Sequence, residues 1–251
     1  MSAWRSANSR PDAIEMEGGE LIVGGYTPFS ATDYPGQLSA VVFVQGCAWR
    51  CGYCHNPHLQ QRPRHSPLPW ALLLERLARR TGLLDAVVFS GGEPTTDAAL
   101  PGAIADVRAL GFKVGLHTAC LYPERLKAVL PLLDWVGFDV KAPFAAYSGV
   151  TGVAGSGKQA EACVRAILDS GVAYECRTTA HPDLLPPRAL QSMAATLAAM
   201  GVANYVLQTF RATGCADAAL AAGAMPGYPD AALIDTIAPL FVNFSVRREG
   251  A

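Results

Sequence analysis

Short apolar segments alternate with longer amphipathic segments along most of this chain, and this alternation limits its possible folds more than any other feature. Strands that alternate with helices of about 10–15 residues form parallel sheets with right-handed crossovers. A closed eight-stranded barrel usually needs about 250 residues or more. Six strand–helix units in 251 residues therefore predict an α/β fold, an open (β/α)6 partial TIM barrel. The predicted strands are 39–44, 86–89, 113–116, 135–140, 174–178 and 204–207.

Local signals predict the helix boundaries and the remaining segments. Ser66 can cap the first helix, Pro67 suits its first position, and Thr81-Gly82 ends it. Later helices are predicted near 104–110, 123–132, 158–168, 187–199 and 229–237. Outside the six units we expect an edge strand at 21–23, a turn-rich approach at 27–36, a long surface connection at 211–230 and a terminal strand at 240–246.

The composition fits one globular unit. With 51% hydrophobic and 16% charged residues, the chain can bury one large core. We expect a single domain over residues 21–246. A loosely ordered polar arm (1–20) should precede it and a short tail (247–251) should follow it.

Charge and hydropathy exclude several classes of function. Twenty Lys and Arg against 21 Asp and Glu give a net charge of −1, so we expect no nucleic-acid partner. The first twenty residues contain no apolar signal region, and no apolar run approaches the roughly 18–20 residues that cross a bilayer. We therefore expect a cytoplasmic protein without membrane contact. The odd number of cysteines, seven with three clustered, fits a reducing compartment.

The three clustered cysteines follow the first strand in the pattern Cys47-x3-Cys51-x2-Cys54. On a helix these positions share one face and could be small core residues, but glycines and a proline in the stretch predict a loop. A structural zinc site would need a fourth ligand, which His55 or His58 could supply. Soft thiolates suit an iron–sulfur cluster better, and a [4Fe–4S] cluster with three close cysteines leaves one iron open to another ligand.

The motif resembles the signature of radical S-adenosylmethionine (SAM) enzymes, in which an aromatic residue, here Tyr53, precedes the last cysteine. The neighbouring stretches resemble the activases of glycyl radical enzymes, in particular the activating proteins of anaerobic ribonucleoside-triphosphate reductase. These stretches are Tyr34-Pro35-Gly36, Val42-Phe43-Val44-Gln45-Gly46-Cys47 and Tyr53-Cys54-His55-Asn56-Pro57. The similarity extends from about residue 24 to about residue 211, which is most of the chain.

The resemblance implies a reaction centre at the cysteine loop. The three cysteines would bind a [4Fe–4S] cluster beside Tyr53, and SAM would bind the open iron through its amino and carboxylate groups. After the second strand, Gly91-Gly92-Glu93 resembles the GGE motif of the family. This motif implies that Gly91 and Gly92 present their backbone to the SAM amino group and that Glu93 helps to hold it.

Ligands of parallel α/β folds bind at the carboxyl ends of the strands, so residues after the later strands are further candidates. Asp139 and Lys141 end the fourth strand two positions apart, so their side chains share one face. They resemble the Asp-x-Lys motif of activases, which implies that Lys141 pairs with the SAM carboxylate. After the fifth strand, Arg177 could bind that carboxylate bidentately, and His181 could contact the ribose or the partner protein.

Two more strand ends contribute weaker candidates. The third strand ends in the stretch 117–120, His-Thr-Ala-Cys, in which Thr118 is a candidate SAM contact. Related activases often have an acidic residue and Asn-Gly here, so this loop departs from the family pattern and weakens the case for a monovalent-cation site. Gln208 and Arg211 follow the sixth strand.

A second glycine-rich stretch imitates a nucleotide-binding motif. Residues 152–159, Gly-Val-Ala-Gly-Ser-Gly-Lys-Gln, fit most of the phosphate-loop pattern G-x4-G-K. However, Gln159 occupies the position that needs Ser or Thr, and no strand directly precedes the stretch. We therefore predict a flexible turn that leads into a helix.

The sequence leaves three functions open. The resemblance implies an activase in which a low-potential donor, such as flavodoxin or ferredoxin, reduces the cluster and SAM cleavage yields a 5′-deoxyadenosyl radical. That radical would take a hydrogen from a glycine of a glycyl radical enzyme, which the resemblance suggests is anaerobic ribonucleoside-triphosphate reductase. The alternatives are a radical SAM enzyme acting on a small molecule and a plain iron–sulfur electron carrier. A plain carrier would leave the candidates at the strand ends unexplained.

The first prediction concerns the cluster ligands. Protein reconstituted without oxygen should hold about four iron and four sulfide per chain, measured by chemical analysis. Replacing Cys47, Cys51 or Cys54 by Ala should abolish the cluster. The same change at any of the four scattered cysteines, Cys120, Cys163, Cys176 and Cys215, should leave it intact. A scattered cysteine that proves indispensable for iron content would contradict the open-iron argument.

Overall fold

One mixed sheet runs through the part of the chain that the structure, a computed structural model, describes, namely residues 19–215 and 217–248. Within this part the sheet has eight strands, which lie side by side in sequence order. They are β1 (Val23–Ser30), β2 (Ser39–Val44), β3 (Ala86–Gly91), β4 (Lys113–Thr118), β5 (Trp135–Asp139), β6 (Ala173–Ala180), β7 (Asn204–Thr209) and β8 (Asn243–Arg247).

The pairing of the strands confirms the predicted open α/β partial barrel. Strands β2 to β8 are parallel to their neighbours, and β1 pairs with β2 in antiparallel orientation at one edge. The predicted terminal strand is β8, which adds a seventh parallel strand. Among the described residues β1 and β8 do not pair with each other, so the barrel wall stays open between them.

Helices cover the outer face of this sheet. In the described residues the α-helices are α1 (Trp70–Ala78), α2 (Leu100–Ala109), α3 (Pro123–Val129), α4 (Tyr147–Thr151), α5 (Ser156–Ser170), α6 (Pro187–Ala199), α7 (Ala218–Ala222) and α8 (Ala231–Ile237). Helix α1 shows how they pack: Trp70, Leu73 and Leu77 share one helical face and are buried. The Trp70 ring meets Phe89 of β3 with ring centres 6.0 Å apart.

The inner face of the sheet holds a smaller apolar cluster at one end. Tyr34, from the loop between β1 and β2, stacks on Trp135 with ring centres 5.1 Å apart. Val41, Ala86 and Val88 complete this cluster. Because Ala86 and Trp135 begin β3 and β5, the cluster fills the interior near the amino ends of these strands. Polar side chains therefore collect toward the carboxyl ends.

Several predicted boundaries are wrong for local reasons. The predicted edge strand at 21–23 shares only Val23 with the observed strand β1. Bulges after Val23 and Thr27 interrupt the alternation that would have predicted the rest of β1. The predicted turn-rich approach at 27–36 accordingly begins only after Ser30. The 211–230 connection contains the short helix α7.

The start of the first helix also differs from the prediction. Ser66 does not cap α1, which begins at Trp70 after Pro69 in an extended conformation. The Ser66 hydroxyl instead accepts a hydrogen bond from the N–H of Val23, at 2.9 Å. The serine therefore fastens this segment to the start of β1.

The chain ends are mostly outside the described residues. Of the predicted arm (1–20) only 19–20 are described, and there the Glu20 carboxylate accepts a hydrogen bond from the N–H of Trp70. Of the predicted tail (247–251) only 247–248 are described. No helix in 19–215 or 217–248 is both long and apolar enough to cross a bilayer.

The stretch that imitates a phosphate loop is a turn between two helices. Gly152 and Gly155 have φ angles of 69° and 76°, which favour glycine, and they connect α4 to α5. At Gly157, a Cβ atom would lie 1.9 Å from the carbonyl oxygen of Phe144. Lys158 is exposed to solvent. Turn geometry and packing thus account for these glycines.

This packing generates the second prediction. Gly157→Ala should lower the free energy of unfolding by about 1–3 kcal/mol, because the added methyl group meets backbone that cannot move cheaply. Gly102→Ala in α2 is the matched control. A Cβ at Gly102 has no neighbour within 4 Å, so alanine should stabilise that helix by up to about 1 kcal/mol. Equal effects of the two changes in chemical denaturation would contradict the prediction.

Candidate functional site

The cysteine loop leaves β2 at its carboxyl end and forms one wall of a cavity of about 320 Å³. Cys47, Cys51 and Cys54 all line this cavity. Within the loop, Trp49 is buried and meets Tyr147 edge-on, with ring centres 5.5 Å apart. Burial raises the pKa of Cys47 to about 11, so binding of a metal there must displace a proton.

The turn after β3 is bonded directly to the cysteine loop. The N–H of Gly92 donates to the Val44 carbonyl at 3.0 Å, and the N–H of Glu93 donates to the Gly46 carbonyl at 2.9 Å. A Cβ at Gly91 would lie 2.3 Å from the Val44 oxygen, and one at Gly92 would lie 2.5 Å from the Gly46 oxygen. Only glycine permits this approach, and both glycines line the cavity.

Glu93 is fully buried and fastens this turn to the end of β4. Its carboxylate accepts hydrogen bonds from the Thr95 N–H at 3.2 Å and from the Thr95 hydroxyl at 2.6 Å. It also accepts from the Thr118 hydroxyl at 2.9 Å and from the Ala119 N–H at 2.8 Å. Burial raises the pKa of Glu93, although these hydrogen bonds oppose the shift. Glu93 does not line the cavity, so its predicted help in holding the SAM amino group is not supported.

Asp139 and Lys141 form an ion pair in the cavity wall, with 2.9 Å between Lys141 Nζ and Asp139 Oδ2. Lys141 Nζ also lies over the Tyr53 ring, 5.4 Å from its centre. Burial disfavours both charges, but each partner stabilises the other. The pKa of Lys141 is therefore raised and the pKa of Asp139 is lowered. Both groups stay charged near neutral pH and form a fixed dipole facing the cavity.

Arg177 lies flat against the inner wall and is largely buried. Its Nε donates to Glu175 Oε1 at 2.7 Å, and its guanidinium carbon lies 5.1 Å from the centre of the Trp135 ring. A Cβ at Gly137 would approach that guanidinium carbon to 2.7 Å, so this glycine makes room for the arginine. Glu175 also binds Arg247 of β8 at 2.7 Å.

His117 is neutral and separates two cavities. Its Nε2 lies 2.7 Å from the Asp33 carbonyl oxygen, so this nitrogen donates and cannot also accept from Arg177. Nδ1 therefore remains an acceptor. Burial and the Arg177 charge lower the pKa of His117 to about 4. The ring borders both the cysteine cavity and a second cavity of about 720 Å³, which continues toward β8.

The prediction that His181 contacts SAM is not supported. His181 is buried and does not line the cysteine cavity. Its Nε2 lies 2.9 Å from the Leu220 carbonyl of α7, and its Nδ1 accepts the N–H of Asp183 at 3.2 Å. Both ring nitrogens thus have backbone partners, and the histidine holds α7 in place.

The other predicted site residues line the cysteine cavity together. They are Cys47, Cys51, Tyr53, Cys54, Gly91, Gly92, Thr118, Asp139, Lys141, Arg177, Gln208 and Arg211. The lining residues that the sequence did not indicate as cofactor contacts are Trp49, Asn56, Gln60, Ser90, His117, Ala119 and Thr179. Alternation along β6 could have identified Thr179, which lies two positions after Arg177 on the same face. Gln60 shows no local signal.

The residues present fit an iron–sulfur cluster. Three soft thiolate ligands from one loop face the cavity, and Cys215 lies outside it, with its thiol directed at the Gly52 carbonyl at 3.7 Å. In the described part of the chain, no three His, Cys, Asp or Glu side chains converge closely enough to bind a single metal ion. A cluster differs from such a site because each cysteine binds a different iron.

Comparison with known proteins agrees with this geometry. The model of the family described as Radical SAM superfamily matches residues 41–199. A Methanocaldococcus jannaschii protein named "Putative glycyl-radical enzyme activating enzyme" is 30% identical over 200 residues, which cover 76% of this chain and 80% of that protein. The pyruvate formate-lyase-activating enzyme of Streptococcus mutans is 28% identical over 197 residues, which cover 69% and 70%.

The similarity extends to solved structures. The crystal structure of QueE from Escherichia coli aligns with 91% of this chain and 94% of its own, with a TM-score of 0.54. At 13% sequence identity this match shows a shared fold and nothing more.

The ion pair in the cavity wall generates the third prediction. Lys141→Ala should weaken SAM binding by roughly 1.5–3 kcal/mol, the value of a hydrogen bond to a charged group, and leave the iron content unchanged. Calorimetry on reconstituted protein would measure the affinity. Lys158→Ala removes an exposed lysine outside the cavity and should bind SAM normally. Unchanged SAM affinity in Lys141→Ala would exclude Lys141 from the binding site.

Proposed function

The chain belongs to the radical SAM superfamily, and on that premise we propose that it is an activating enzyme that places a radical on a glycine of a partner protein. As a radical SAM enzyme it uses a [4Fe–4S] cluster and SAM. When bound, the reduced cluster supplies the electron that cleaves SAM to methionine and a 5′-deoxyadenosyl radical, which takes a hydrogen atom from the substrate.

In this proposal Cys47, Cys51 and Cys54 hold the cluster. Lys141 binds the SAM carboxylate, and the backbone of the Gly91-Gly92 turn binds the amino group. The ion pair with Asp139 and the contact with Tyr53 keep the Lys141 ammonium oriented before SAM arrives. Such preorganisation reduces the entropy that binding must overcome.

One observation carries the choice of a protein substrate: the cysteine cavity borders a larger cavity on the side where, among the described residues, β1 and β8 do not pair. The two cavities share His55, His117, Arg177, Thr179, Gln208 and Arg211 along their borders. Among the described residues no segment pairs β1 with β8 to close this side. A loop of a partner protein could enter there and bring a glycine to the SAM site.

The named relatives support an activase. The similarity to the proteins of M. jannaschii and S. mutans covers more than two thirds of each chain, and both names describe activating enzymes. The stretches around Cys47 and Cys54 resemble the activating proteins of anaerobic ribonucleoside-triphosphate reductase. We therefore propose that reductase as the partner, with a low-potential protein such as flavodoxin or ferredoxin as the electron donor.

The fourth prediction tests this function directly. The protein would be mixed without oxygen with SAM, a low-potential reductant and an anaerobic ribonucleoside-triphosphate reductase from the same cell. Electron paramagnetic resonance should then show the doublet of a carbon-centred radical on the reductase, because a glycyl radical retains one α-hydrogen that splits the signal.

Two controls give this experiment its specificity. The doublet should disappear when the radical-site glycine of the reductase is replaced by alanine, and also when Cys51→Ala replaces the activating protein. A different glycyl radical enzyme that acquires the signal would correct the choice of partner. If SAM is cleaved while no partner gains the signal and a small metabolite is consumed in step with 5′-deoxyadenosine, the activase proposal is wrong.

A further inference from the structure

A basic surface lies beside the cysteine loop, although the chain as a whole is nearly neutral. The sequence contains no Asp or Glu between Asp33 and Glu75. The same interval contains Arg50, Arg62 and Arg64 and three of the five histidines of the chain. We call the surface formed by Arg50, His58, Arg62, Arg64 and His65 the basic flank.

Most residues of the basic flank have no acidic partner. Arg50, His58, Arg64 and His65 are exposed, and no ion pair in the described part of the chain reaches them. Arg62 is the exception, because it binds the buried Asp97 at 2.8 Å. Asp217, a further carboxylate near the loop, lies close to Gly52 and caps α7 with its side chain. The flank therefore presents net positive charge to solvent.

Backbone hydrogen bonds connect this flank to a cluster cysteine. The N–H of Gly46 donates to the Leu59 carbonyl at 2.8 Å, and the N–H of Cys47 donates to the Gln60 carbonyl at 3.0 Å. The carbonyl of the same cysteine accepts a hydrogen bond from the Arg50 guanidinium at 2.6 Å. Ser66 then fastens the end of the segment to Val23, so the flank is held in place at both ends.

We infer that the basic flank is the docking surface for an acidic one-electron carrier protein, which reduces the cluster from this side. The inference rests on the proposed function, since it takes the three cysteines as the cluster ligands. In the step, one electron leaves the carrier and enters the cluster. The carrier is oxidised, the cluster is reduced, and no covalent bond forms or breaks.

The size and position of the flank favour a redox carrier over other partners. Electron-transfer complexes are small and weak, and complementary charge mainly raises their rate of association. Three arginines near one cluster ligand, with two histidines beside them, suit such an encounter. A substrate protein must instead reach the cavity on the open side of the barrel, where SAM would bind. Nucleic acid usually meets a wider field of positive charge, which a chain of net charge −1 does not supply.

The test uses the cluster-loaded protein and a reduced bacterial flavodoxin as the acidic carrier. In Arg64→Glu, the second-order rate constant for reduction of the cluster by flavodoxin, followed by stopped-flow absorbance, should fall about three- to tenfold at low ionic strength. The difference should shrink at high salt because salt screens charges on the surface. The dissociation constant for redox-inactive flavodoxin should rise in parallel.

Two controls separate docking from damage to the cluster. Arg79→Glu makes the same charge change at the end of α1, near the amino ends of the strands, and should leave the flavodoxin rate unchanged. Dithionite, a small reductant, should reduce the wild-type protein and Arg64→Glu equally fast. If dithionite also reacts more slowly with Arg64→Glu, His58→Glu provides a second variant of the same surface, and the dissociation constants decide.

Several outcomes would overturn the inference. Flavodoxin could reduce Arg64→Glu and His58→Glu as fast as the wild type at low salt, or Arg79→Glu could slow the reaction equally. Alternatively, Arg64→Glu could weaken the binding of a single-stranded oligonucleotide and leave the binding of flavodoxin unchanged, which would make the flank a nucleic-acid site. Neither the rate of reduction nor the dissociation constant involves a partner glycine. If the activase proposal fails, these two measurements therefore still test the docking surface on their own.

Discussion

The contact between two backbone segments, the glycine turn after β3 and the cysteine loop after β2, is the constraint on which the rest of the site depends. The parallel register pairs Val44 with Gly91, so the two strands end at the same height. Hydrogen bonds from Gly92 and Glu93 to the β2 side then hold the segments closer than any side chain allows. The cysteine loop can lie this close to the end of β3 because Gly91 and Gly92 have no Cβ atoms.

Buried charge extends this constraint around the barrel. Glu93 holds the glycine turn against β4, because its carboxylate accepts hydrogen bonds from Thr118 and Ala119 at the end of that strand. Farther along the sheet, Glu175 holds Arg177 and Arg247, which joins β6 to the edge strand β8. A buried carboxylate without donors would cost several kcal/mol. These networks therefore favour a single arrangement of the strand ends, although in the described part of the chain no strand pairing joins β1 to β8.

Short local patterns predicted most of the fold and much of the candidate site. The strand–helix alternation predicted the open α/β barrel, and the parallel topology brought the cysteine loop, Gly91 and Lys141 to one cavity. The failures arise from contacts distant in sequence. His181 was assigned to the cofactor because nothing in its vicinity reveals that Leu220 of α7 lies over it. The length of β1 was missed because its bulges interrupt the alternation of side chains.

Charge is arranged differently inside the cavity and on the basic flank, and burial explains the difference. In the cavity wall, Lys141 and Arg177 are largely buried and each is paired with a carboxylate, as a low-dielectric setting requires. Asp139 balances the charge of Lys141, so in the proposed site Lys141 can bind the SAM carboxylate without bringing unpaired charge into the cavity. On the flank, exposed Arg64 does not need a paired carboxylate, because water stabilises its charge. Unpaired surface charge acts over about 10 Å at 0.1 M salt. Short-range recognition of SAM and the proposed longer-range attraction of a carrier protein can therefore operate beside the same three cysteines.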